Sequence, residues 1–456
     1  MDLQGKKVLV IGTGISGIGA VKLLSFAGAA PILYDENKKL EEAAVRNKLP
    51  AEVNAEIVIG SLPKELEEEI VLVVPSPGVP ADAAVIEGFR KRGIPVWGEI
   101  ELAYAYAKGR LIAITGTNGK TTTTSLVGKI MEDYYESVYI VGNIGNPYTE
   151  IAPETKSDTI TVAEISSFQL ETTQTFRPQV SAILNITPDH LDRHYTMENY
   201  AAVKERIAKN QTKNDICVLN YENEYTRAFG GRCSAHVIFF SSVRKLERGI
   251  YLEGEDIYIA GIGHEQDDNR RKIMTVYDMN LVGLCNVENI MAAIAIALSM
   301  EVPLENILST IKRFKAVEHR IEFVATKNGV DYYNDSKGTN PDAAIQGIRA
   351  MSKPTVLIGG GYDKHSEYDD WIEAFEGKVK CFVLIGQTAD KIEECAIKHG
   401  ISNIIRADSF DEALKICTRE AKSGDAVLLS PACASWGMFP NYEVRGNMFK
   451  DYVNNL

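Results

Sequence analysis

Short runs of apolar residues alternate along the chain with longer stretches whose apolar positions recur at helical spacing. Near the start, KKVLVIG (6–12) predicts a buried strand, and SGIGAVKLLSFAG (16–28) predicts the helix that follows it. PILYDEN (31–37) and EIVLVVPSPGVP (69–80) predict two more strands, the second ending in a loop rich in proline and glycine. Strands that alternate with helices are typical of parallel sheets joined by crossover helices.

The same alternation continues in two further blocks. The middle block begins near residue 99 and contains the predicted strands RLIAITG, DTITVAEIS and QVSAILNIT. The last block begins near Pro303, and its predicted strands are TVLIGGG, CFVLIG, NIIRA and AVLLSP. No internal repeat or low-complexity tract interrupts the pattern. We therefore predict an α/β protein of three domains in series, at 1–98, 99–302 and 303–456.

Composition narrows the classes of function. The chain has 456 residues, with 49 Lys and Arg against 62 Asp and Glu, a net charge of −13. Such an acidic chain is a poor candidate for nucleic-acid binding, and an anionic substrate must be bound by a local arrangement. The start lacks the order of a secretory signal, and the apolar stretch 8–21 is too short and glycine-broken to span a bilayer. Seven cysteines without a CxxC pair indicate neither a disulfide framework nor a zinc site. We expect a cytoplasmic protein with no membrane insertion.

The first motif is GTGISG (12–17), placed between a predicted strand and a predicted helix. Its glycines permit a tight turn and close approach to a phosphate at the helix N-terminus. Asp35 lies 18 residues beyond Gly17, where an acid can accept a hydrogen bond from a ribose hydroxyl. SPG (76–78) follows another strand at the same sheet edge. The motif predicts a bound nucleotide; NAD or FAD is the obvious candidate, and a tight turn that binds nothing is the alternative.

The second motif is TGTNGKTT (115–122), again between a strand and a helix. Successive backbone N–H groups there form an anion-binding nest, Lys120 can reach the terminal phosphates of ATP, and the Thr121 hydroxyl can bind Mg²⁺. The loop departs from the full GxxxxGK[ST] pattern because Ile114 stands where the first glycine belongs. Strand, loop and helix coincide, so the motif predicts an ATP site rather than a glycine-rich cap with a solvated lysine.

Metal-binding residue types follow the next strands. Glu164 ends the strand TITVAE, where its carboxylate can face Mg²⁺ at the phosphate loop. Asp189 and His190 lie just after another strand, in NITPDHLDRH. Taken singly, Glu164 as a capping acid and His190 as a loop histidine are equally reasonable, and Lys204 alone indicates only a solvated helix face.

A fourth group lies near the end of the chain, in EHR (318–320), NDSKGTNP (334–341), GGGYDK (359–364) and SPACASWGMFPNYEVRG (430–446). Asn340 and Pro341 suit a helix N-cap followed by proline at the first helical position. The residues before them are left on a loop at a strand end, which is typical of ligand contacts. Cys433 has no histidine partner nearby in sequence, so a nucleophilic role is disfavoured.

Taken together, these segments resemble the Mur ligase family, the ATP-dependent amide-forming enzymes that build the peptide stem of peptidoglycan. The resemblance runs nearly end to end, through TGTNGKTTT, GNIG (142–145), EISSFQLE (164–171), LNITPDHLDRH, NVENIMAA (286–293), EHR and NDSKGTN. NDSKGTN and the 430–446 segment are similar to the D-glutamate-adding members, and the DNPR motif of the diaminopimelate- or lysine-adding members is absent. The resemblance implies Rossmann-like first and last domains around a central P-loop ATPase domain.

The resemblance also implies a role for each matching position. The first domain would hold the UDP of the sugar substrate rather than a dinucleotide, and Lys204 would be carbamylated, which turns a cation into an anion that can reach a second Mg²⁺. The implied UDP-substrate contacts are Ile15, Ser16, Gly17, Asp35, Gly78, Asn143 and Gln169. The implied ATP contacts are Gly116, Thr117, Asn118, Gly119, Lys120, Thr121, Thr122, Asn286, Asn289, Arg320 and Asp335. The implied metal ligands are Thr121, Glu164, His190 and carbamylated Lys204, and the implied D-glutamate contacts are Lys337, Thr339, Lys364, Ser435 and Tyr442.

Two departures from the family pattern concern these positions. Cys285 stands where a histidine usually precedes Asn286, and the chain between Arg193 and Lys204 is one residue shorter than in some relatives. Neither removes a group with an implied catalytic role, which would fall to Lys120, His190 and Lys204.

The implied reaction is a two-step amide synthesis by a monomer that takes UDP-MurNAc-L-Ala, D-glutamate and ATP. Three alternatives stay open on the sequence: a nicotinamide-dependent oxidoreductase, favoured by GTGISG and Asp35; a nucleotide-dependent switch built on the phosphate loop; and another Mur-type or folylpolyglutamate-type ligase. The Lys120 loop and Glu164 argue against the oxidoreductase, and a UDP-binding first domain argues against the folylpolyglutamate-type enzyme.

Overall fold

The first domain is a four-stranded parallel sheet with helices on both faces. This computed structural model describes residues 2–262 and 270–456. The strands are β1 (Lys7–Ile11), β2 (Ala30–Asp35), β3 (Glu56–Ile59) and β4 (Ile70–Pro75), in the order β3-β2-β1-β4. The helices are α1 (Ile15–Phe26), α2 (Glu42–Arg46), α3 (Lys64–Glu69) and α4 (Ala84–Lys91). Val8, Leu9 and Val10 are all fully buried, which is why β1 is apolar throughout instead of alternating.

The middle domain contains a nine-stranded sheet in the order β13-β12-β11-β10-β9-β8-β5-β7-β6. Its strands are β5 (Arg110–Thr115), β6 (Val138–Gly142), β7 (Ile160–Glu164), β8 (Val180–Ile183), β9 (Ile216–Asn220), β10 (His236–Ser241), β11 (Gly249–Glu253), β12 (Asp256–Ala260) and β13 (Arg271–Thr275). All neighbours pair in parallel except β11–β12 and β12–β13, which are antiparallel. The sequence did not predict this antiparallel extension at the sheet edge.

The helices of the middle domain cover both faces of this sheet. They are α5 (Glu99–Tyr106), α6 (Lys120–Glu132), α7 (Tyr148–Ile151), α8 (Ser167–Leu170), α9 (Leu191–His194), α10 (Met197–Glu205), α11 (Glu224–Gly230), α12 (Leu284–Ser299) and α13 (Leu304–Arg313). Ile307 and Ile311 of α13 belong to the same buried cluster as α6 and α12. The boundary predicted at Pro303 stays a prediction, and the packing of α13 favours a junction after Arg313.

The last domain has a six-stranded sheet in the order β14-β15-β19-β16-β17-β18, parallel except for the β14–β15 hairpin. Its strands are β14 (Glu322–Lys327), β15 (Val330–Asn334), β16 (Thr355–Gly359), β17 (Val379–Leu384), β18 (Ile404–Arg406) and β19 (Ala426–Leu429). Its helices are α14 (Pro341–Arg349), α15 (Asp369–Glu373), α16 (Ala389–Lys398), α17 (Phe410–Glu420) and α18 (Tyr442–Asn454). Asn340 caps α14 as predicted, accepting from the backbone N–H of Ala343.

The sheet orders place the glycine-rich loops where ligands of open α/β sheets bind. β1 lies between β2 and β4, and β5 lies between β8 and β7, so each is the strand from which the chain continues to both sides. Crevices form at the carboxyl ends of such strands. None of the helices among the described residues combines the length and the apolar character needed to cross a membrane.

Candidate active site

The loop between β5 and α6 turns around an open space at the N-terminus of α6. Gly116 and Gly119 have φ values of 155° and 84°, and a Cβ at position 119 would lie 2.3 Å from Asn289 Oδ1. Glycine is therefore required at 119 on both conformational and steric grounds. A cavity of about 100 Å³ opens here, lined by Thr117, Asn118, Gly119, Lys120, Thr121, Thr122, Asn143, Glu164, Arg320 and Lys337. Backbone N–H groups at a helix N-terminus make this a site for anions.

Lys120 lies inside this loop. Its Nζ donates to the carbonyl oxygens of Gly116 and Thr117, at 2.9 and 2.8 Å. Burial lowers the pKa of Lys120, while the negative charges of Glu164 and Asp189 act in the opposite direction. The amine is thus placed at the space that the loop encloses, where it can contact the terminal phosphates of a nucleotide.

Glu164 and Thr121 have the oxygens that a magnesium ion would need. Glu164 is 1% exposed at the end of β7; its Oε1 accepts from Asn143 Nδ2 at 2.7 Å, and its Oε2 has no partner among the described residues. A buried carboxylate oxygen left unpaired is costly, and Mg²⁺ favours such an oxygen together with phosphate and water. The Thr121 hydroxyl faces the same cavity and accepts from Lys337 Nζ at 2.9 Å. These donors fit a magnesium site.

Lys204, on α10, is 1% exposed and points into the phosphate loop. Its Nζ donates to the carbonyl oxygen of Gly116 at 2.8 Å, the same oxygen that accepts from Lys120, and lies 4.6 Å from the centre of the Tyr200 ring. Burial and the neighbouring charge of Lys120 lower the pKa of Lys204 well below its ordinary value. Burial thus favours the neutral form of this amine, and the shorter segment before it still brings it to the loop.

His190, on the loop after β8, has a left-handed backbone conformation, with φ 53°. Its Nε2 is 3.6 Å from Asp189 Oδ2, and its ring packs edge-on against Phe168 with 4.9 Å between ring centres. Burial lowers the pKa of His190; the charge of Asp189 acts in the opposite direction, and the lysines nearby lower the pKa further. A neutral imidazole among these groups can be a metal ligand.

A larger cavity of about 380 Å³ continues from the phosphate loop between the middle and last domains. It is lined by Asn118, Gly119, Thr122, Asn185, Thr187, Asn220, Glu222, Asn223, Cys285, Asn286, Glu288, Asn289, Arg320, Ile321, Asp342, Ala343, Gln346 and Arg349. Its walls are mostly amide and carboxylate side chains with one apolar corner, which suits the base and sugar of a nucleoside. Asn286, Asn289 and Arg320 thus lie where the sequence analysis expected ATP contacts, and Cys285 is beside them.

Asp335 lies behind this cavity and does not line it. Its carboxylate is 0% exposed: Oδ2 accepts from Ser430 Oγ at 2.7 Å, and Oδ1 accepts from the backbone N–H of Ile321 at 3.2 Å. Arg320 lies 3.6 Å from the same Oδ1. Burial raises the pKa of Asp335 to about 6. In this arrangement Asp335 orients Arg320 rather than meeting a ribose, and the ribose contact stays a prediction.

Asp342, at the second position of α14, connects the last domain to the phosphate loop. Its Oδ2 accepts from Asn118 Nδ2 and from Thr187 Oγ1, the latter at 2.8 Å. Burial raises its pKa. Sequence reasoning missed Asp342, because the Asn340-Pro341 cap accounted for the start of the helix and no spacing indicates a contact between domains.

Four of the residues expected to contact the amino acid lie on loops after three neighbouring strands, β15, β19 and β16, and the fifth, Tyr442, begins α18. Lys337 Nζ is 5.5 Å from the centre of the Tyr442 ring, and Lys364 Nζ is 5.2 Å from that of Trp436. Burial lowers the pKa of Lys337 to about 8. Thr339 follows Lys337 on the same loop, and Ser435 is buried next to Trp436. This end of the sheet offers two amines to a substrate with carboxylates.

Arg445 is a buried residue that sequence reasoning missed. It is 1% exposed; its guanidinium donates to the Oγ and the carbonyl oxygen of Ser336, at 3.0 and 2.8 Å, and to the carbonyl oxygen of Cys433 at 3.4 Å. It thereby fixes the Lys337 loop against the Ser435 loop. Cys433 itself is buried, which raises its pKa, and this agrees with the expectation that it is not a nucleophile.

The loop of the first domain has its own cavity, of about 360 Å³, lined by Thr13, Gly14, Ile15, Ile18, Lys48 and Glu150. A Cβ at Gly17 would lie 1.9 Å from the Gly12 carbonyl oxygen, so the tight turn needs this glycine. Asp35 Oδ2 accepts from the backbone N–H and the hydroxyl of Thr13, at 3.2 and 3.0 Å. Asp35 therefore stabilises the loop through Oδ2, while its Oδ1 accepts from the backbone N–H of Asn37 at 3.0 Å.

The other residues expected at the sugar-nucleotide side lie on loops and helix starts of the first and middle domains. Ser16 is half-buried at the start of α1, and Gly78 is exposed with no atom within 4 Å of an added Cβ. Asn143 is exposed beside Glu164, whereas Gln169 is buried and its Oε1 accepts from the backbone N–H of Ser166 at 2.9 Å. Gln169 helps to cap α8 and lines a narrow gap facing the loop after β4.

Comparison with known proteins covers nearly the whole chain. Three family models match: the Mur ligase MurD-like N-terminal domain at residues 6–98, the Mur ligase middle domain at 114–297, and the Mur ligase glutamate ligase domain at 319–433. The chain is 59% identical over 456 residues to the UDP-N-acetylmuramoylalanine–D-glutamate ligase of Lachnospira eligens, covering 100% of each chain. It is 53% identical to the enzyme of that name from Lachnoclostridium phytofermentans, covering 100% of this chain and 99% of that one.

Among solved structures, the UDP-N-acetylmuramate–alanine ligase of Thermotoga maritima is similar in fold. It superposes with a TM-score of 0.61 at 18% identity, and the match covers 99% of both chains. At that identity the likeness concerns the three-domain architecture alone.

Proposed function

The chain belongs to the Mur ligase family, and we propose that it catalyses the ATP-dependent addition of D-glutamate to UDP-N-acetylmuramoyl-L-alanine in peptidoglycan synthesis. It is an ADP-forming ligase that uses ATP and Mg²⁺. The observation that carries this proposal is full-length identity of up to 59% to ligases of that name, combined with a phosphate loop that faces the last domain. The GTGISG loop therefore receives a sugar nucleotide, and the oxidoreductase alternative is set aside.

The reaction needs the L-alanine carboxylate to become an electrophile. A carboxylate oxygen attacks the γ-phosphorus of ATP, the bond to the β-phosphate oxygen breaks, and an acyl phosphate and ADP result. The amine of D-glutamate, having lost a proton, then attacks the acyl carbon, and the C–O bond breaks to release phosphate. Each step brings several anions together, so neutralising and positioning them is the main task of the site.

The phosphate loop performs the first part of that task. The backbone N–H groups at the start of α6 and the amine of Lys120 meet the transferred phosphate, and Arg320 approaches from the last domain. Thr121 and Glu164 would hold Mg²⁺, which supplies charge neutralisation for the phosphate oxygens when bound. Lys337 and Lys364 pair with the carboxylates of D-glutamate, with Thr339, Ser435 and Tyr442 around them.

Carbamylation of Lys204 is the finer part of the proposal. Only a neutral amine can attack CO₂, forming an N–C bond and releasing one proton to give R–NH–COO⁻. The lowered pKa of Lys204 supports this, because burial favours the neutral amine over the ammonium form. The amines of Lys204 and Lys120 both donate to the carbonyl oxygen of Gly116. Carbamylation would convert the first of them into an anion beside the Lys120 cation. Together with His190, that anion would be a ligand for a second Mg²⁺.

The decisive experiment for the function is phosphate release from ATP with each amino acid in turn. With UDP-MurNAc-L-Ala and Mg²⁺ present, we expect release to require D-glutamate and to be stoichiometric with a new amide product, measured by coupled phosphate assay and mass spectrometry. Equal release with L-lysine or diaminopimelate would indicate another Mur-type ligase, and release independent of the sugar nucleotide would indicate a nucleotide switch.

Asp342→Ala should raise the KM for ATP about tenfold while changing kcat less. The substitution removes the acceptor of Asn118 and Thr187, and hydrogen bonds to a charged group contribute about 1.5–3 kcal/mol. Steady-state kinetics at saturating D-glutamate measure the effect. Asp342→Asn keeps one oxygen acceptor and should fall between the alanine variant and the parent; an unchanged KM in Asp342→Ala would show that this contact does not assist ATP binding.

A cytoplasmic location and a monomeric state complete the proposal. ATP as co-substrate and seven free cysteines suit a reducing compartment. Light scattering coupled to size-exclusion chromatography should give one mass near 50.2 kDa.

A further inference from the structure

A cysteine, a histidine and an aspartate lie together on the outer side of the last domain, away from the phosphate loop. Cys395 belongs to α16, His399 caps its C-terminal end, and Asp369 is the first residue of α15. The Cys395 Sγ, a ring nitrogen of His399 and a carboxylate oxygen of Asp369 all lie within 4.8 Å of one another, and each residue is half-buried. None of the three takes part in the mechanism above.

The spacing within α16 brings two of these side chains to one helix face. Residues four apart on an α-helix are neighbours on its surface, so Cys395 and His399 face α15 together. The cysteines form no CxxC pair, so their spacing in the sequence did not predict a zinc site. A Cys-x₃-His pair on a helix, completed by an acid from another element, lacks that spacing. Thiolate, imidazole and carboxylate form the ligand set that Zn²⁺ accepts.

The imidazole of His399 lies between two carboxylates. Its Nε2 is 2.9 Å from Asp369 Oδ1, and its Nδ1 is 3.8 Å from Glu373 Oε1. A cation bound by Nε2 and Asp369 would take the place of the proton that these two atoms share, and the remaining N–H, on Nδ1, would face Glu373, as a carboxylate commonly does beside a histidine that binds a metal. Lys398 pairs with Asp369 at 3.1 Å, but its side chain is 73% exposed and can turn to solvent.

We propose that Asp369, Cys395 and His399 form a binding site for one thiophilic divalent cation of the zinc class, separate from the magnesium site. Three protein ligands leave a fourth position for water. The ion connects the start of α15 to the end of α16. Because α15 directly follows the loop that carries Lys364, the bound ion holds the end of that loop against the domain. The proposal does not depend on which amino acid the enzyme adds.

Cobalt is the probe for this site, because Co²⁺ bound by a thiolate absorbs in the near-ultraviolet. The full chain, kept reduced with a phosphine, is titrated with Co²⁺ in the presence of excess Mg²⁺. We expect a charge-transfer band that saturates at one equivalent and is abolished by Zn²⁺. Zn²⁺ alone should also raise Tm, since an ion that binds only the folded state stabilises it. Absence of the band, or its loss on adding Mg²⁺, overturns the proposal.

Matched variants assign the band to these residues. Cys395→Ser should abolish it, and His399→Gln should weaken Co²⁺ binding about 100-fold. Cys233→Ser and Cys285→Ser, at two other half-buried cysteines, and His365→Gln, at an exposed histidine, should leave it unchanged. Persistence of the band in Cys395→Ser, or its loss in Cys233→Ser or Cys285→Ser, contradicts the assignment. If Cys395→Ser does not fold, His399→Gln and the Zn²⁺-dependent Tm of the parent chain still decide.

Discussion

Lys120→Ala should lower kcat for D-glutamate-dependent phosphate release by at least about 10³-fold, the upper range for losing a single preorganised donor. The parent amine is held inside the phosphate loop by the carbonyl oxygens of Gly116 and Thr117. It therefore meets the transferred phosphate without reorganising, and water that enters in its place carries no charge. Phosphate release at saturating concentrations of all three substrates measures the loss.

The control for this variant lies on the same helix. Lys129→Ala removes a lysine whose side chain is 51% exposed and pairs with Asp133 at 2.9 Å, so its kcat should match the parent. Binding of UDP-MurNAc-L-Ala to Lys120→Ala, measured by calorimetry, should also be unchanged if the sugar nucleotide binds at the GTGISG loop, as proposed. A kcat within tenfold of the parent would mean that the Lys120 amine does not act on the transferred phosphate.

The strands and their loops could be predicted because local sequence determines them. LIAIT is a short apolar run before a glycine-rich loop and forms the buried strand β5, and GTNGK places Gly119 in the left-handed region. The three-domain α/β architecture, predicted from the same local alternation of strands and helices, was confirmed. The GTGISG loop alone does not identify its ligand, because its geometry suits the pyrophosphate of NAD and that of a sugar nucleotide equally. Only the resemblance along the whole chain favoured the sugar nucleotide over NAD.

Contacts between residues far apart in the chain could not be predicted from the sequence. Asp342 meets Asn118 across 224 positions, and Arg445 meets Ser336 across 109; neither distance follows from a periodic pattern or a motif. The burial of Asp335 belongs to the same class, because the Ser430 hydroxyl that occupies its carboxylate comes from a loop 95 residues away. These hydrogen-bond partners are determined by how the elements pack in three dimensions.

Lys204→Ala should lower kcat about 10²–10³-fold, and small carboxylates such as formate or acetate should restore part of the activity. The site would lose the proposed carbamate anion beside the Lys120 amine, and an added carboxylate can enter the space that the side chain vacates. Rates are measured with and without the carboxylate, using chloride at equal ionic strength for comparison. Removing the buried amine also removes the free-energy cost of its desolvation. The Tm of Lys204→Ala should therefore fall less than that of a variant in which a buried apolar side chain is truncated to alanine.

Lys209→Ala, at an exposed lysine just beyond the same helix, should keep full activity and show no response to formate.

Removal of CO₂ distinguishes a carbamate from a plain amine at Lys204. The parent enzyme should lose activity in degassed buffer and regain it with bicarbonate, and ¹³CO₂ should give a carbamate carbon signal that is absent in Lys204→Ala. Near-parent activity of Lys204→Ala, or full parent activity without CO₂, would contradict the modification. Because burial lowers the pKa of Lys204 well below its ordinary value, the recovery with bicarbonate should need less alkaline conditions than an ordinary lysine would require.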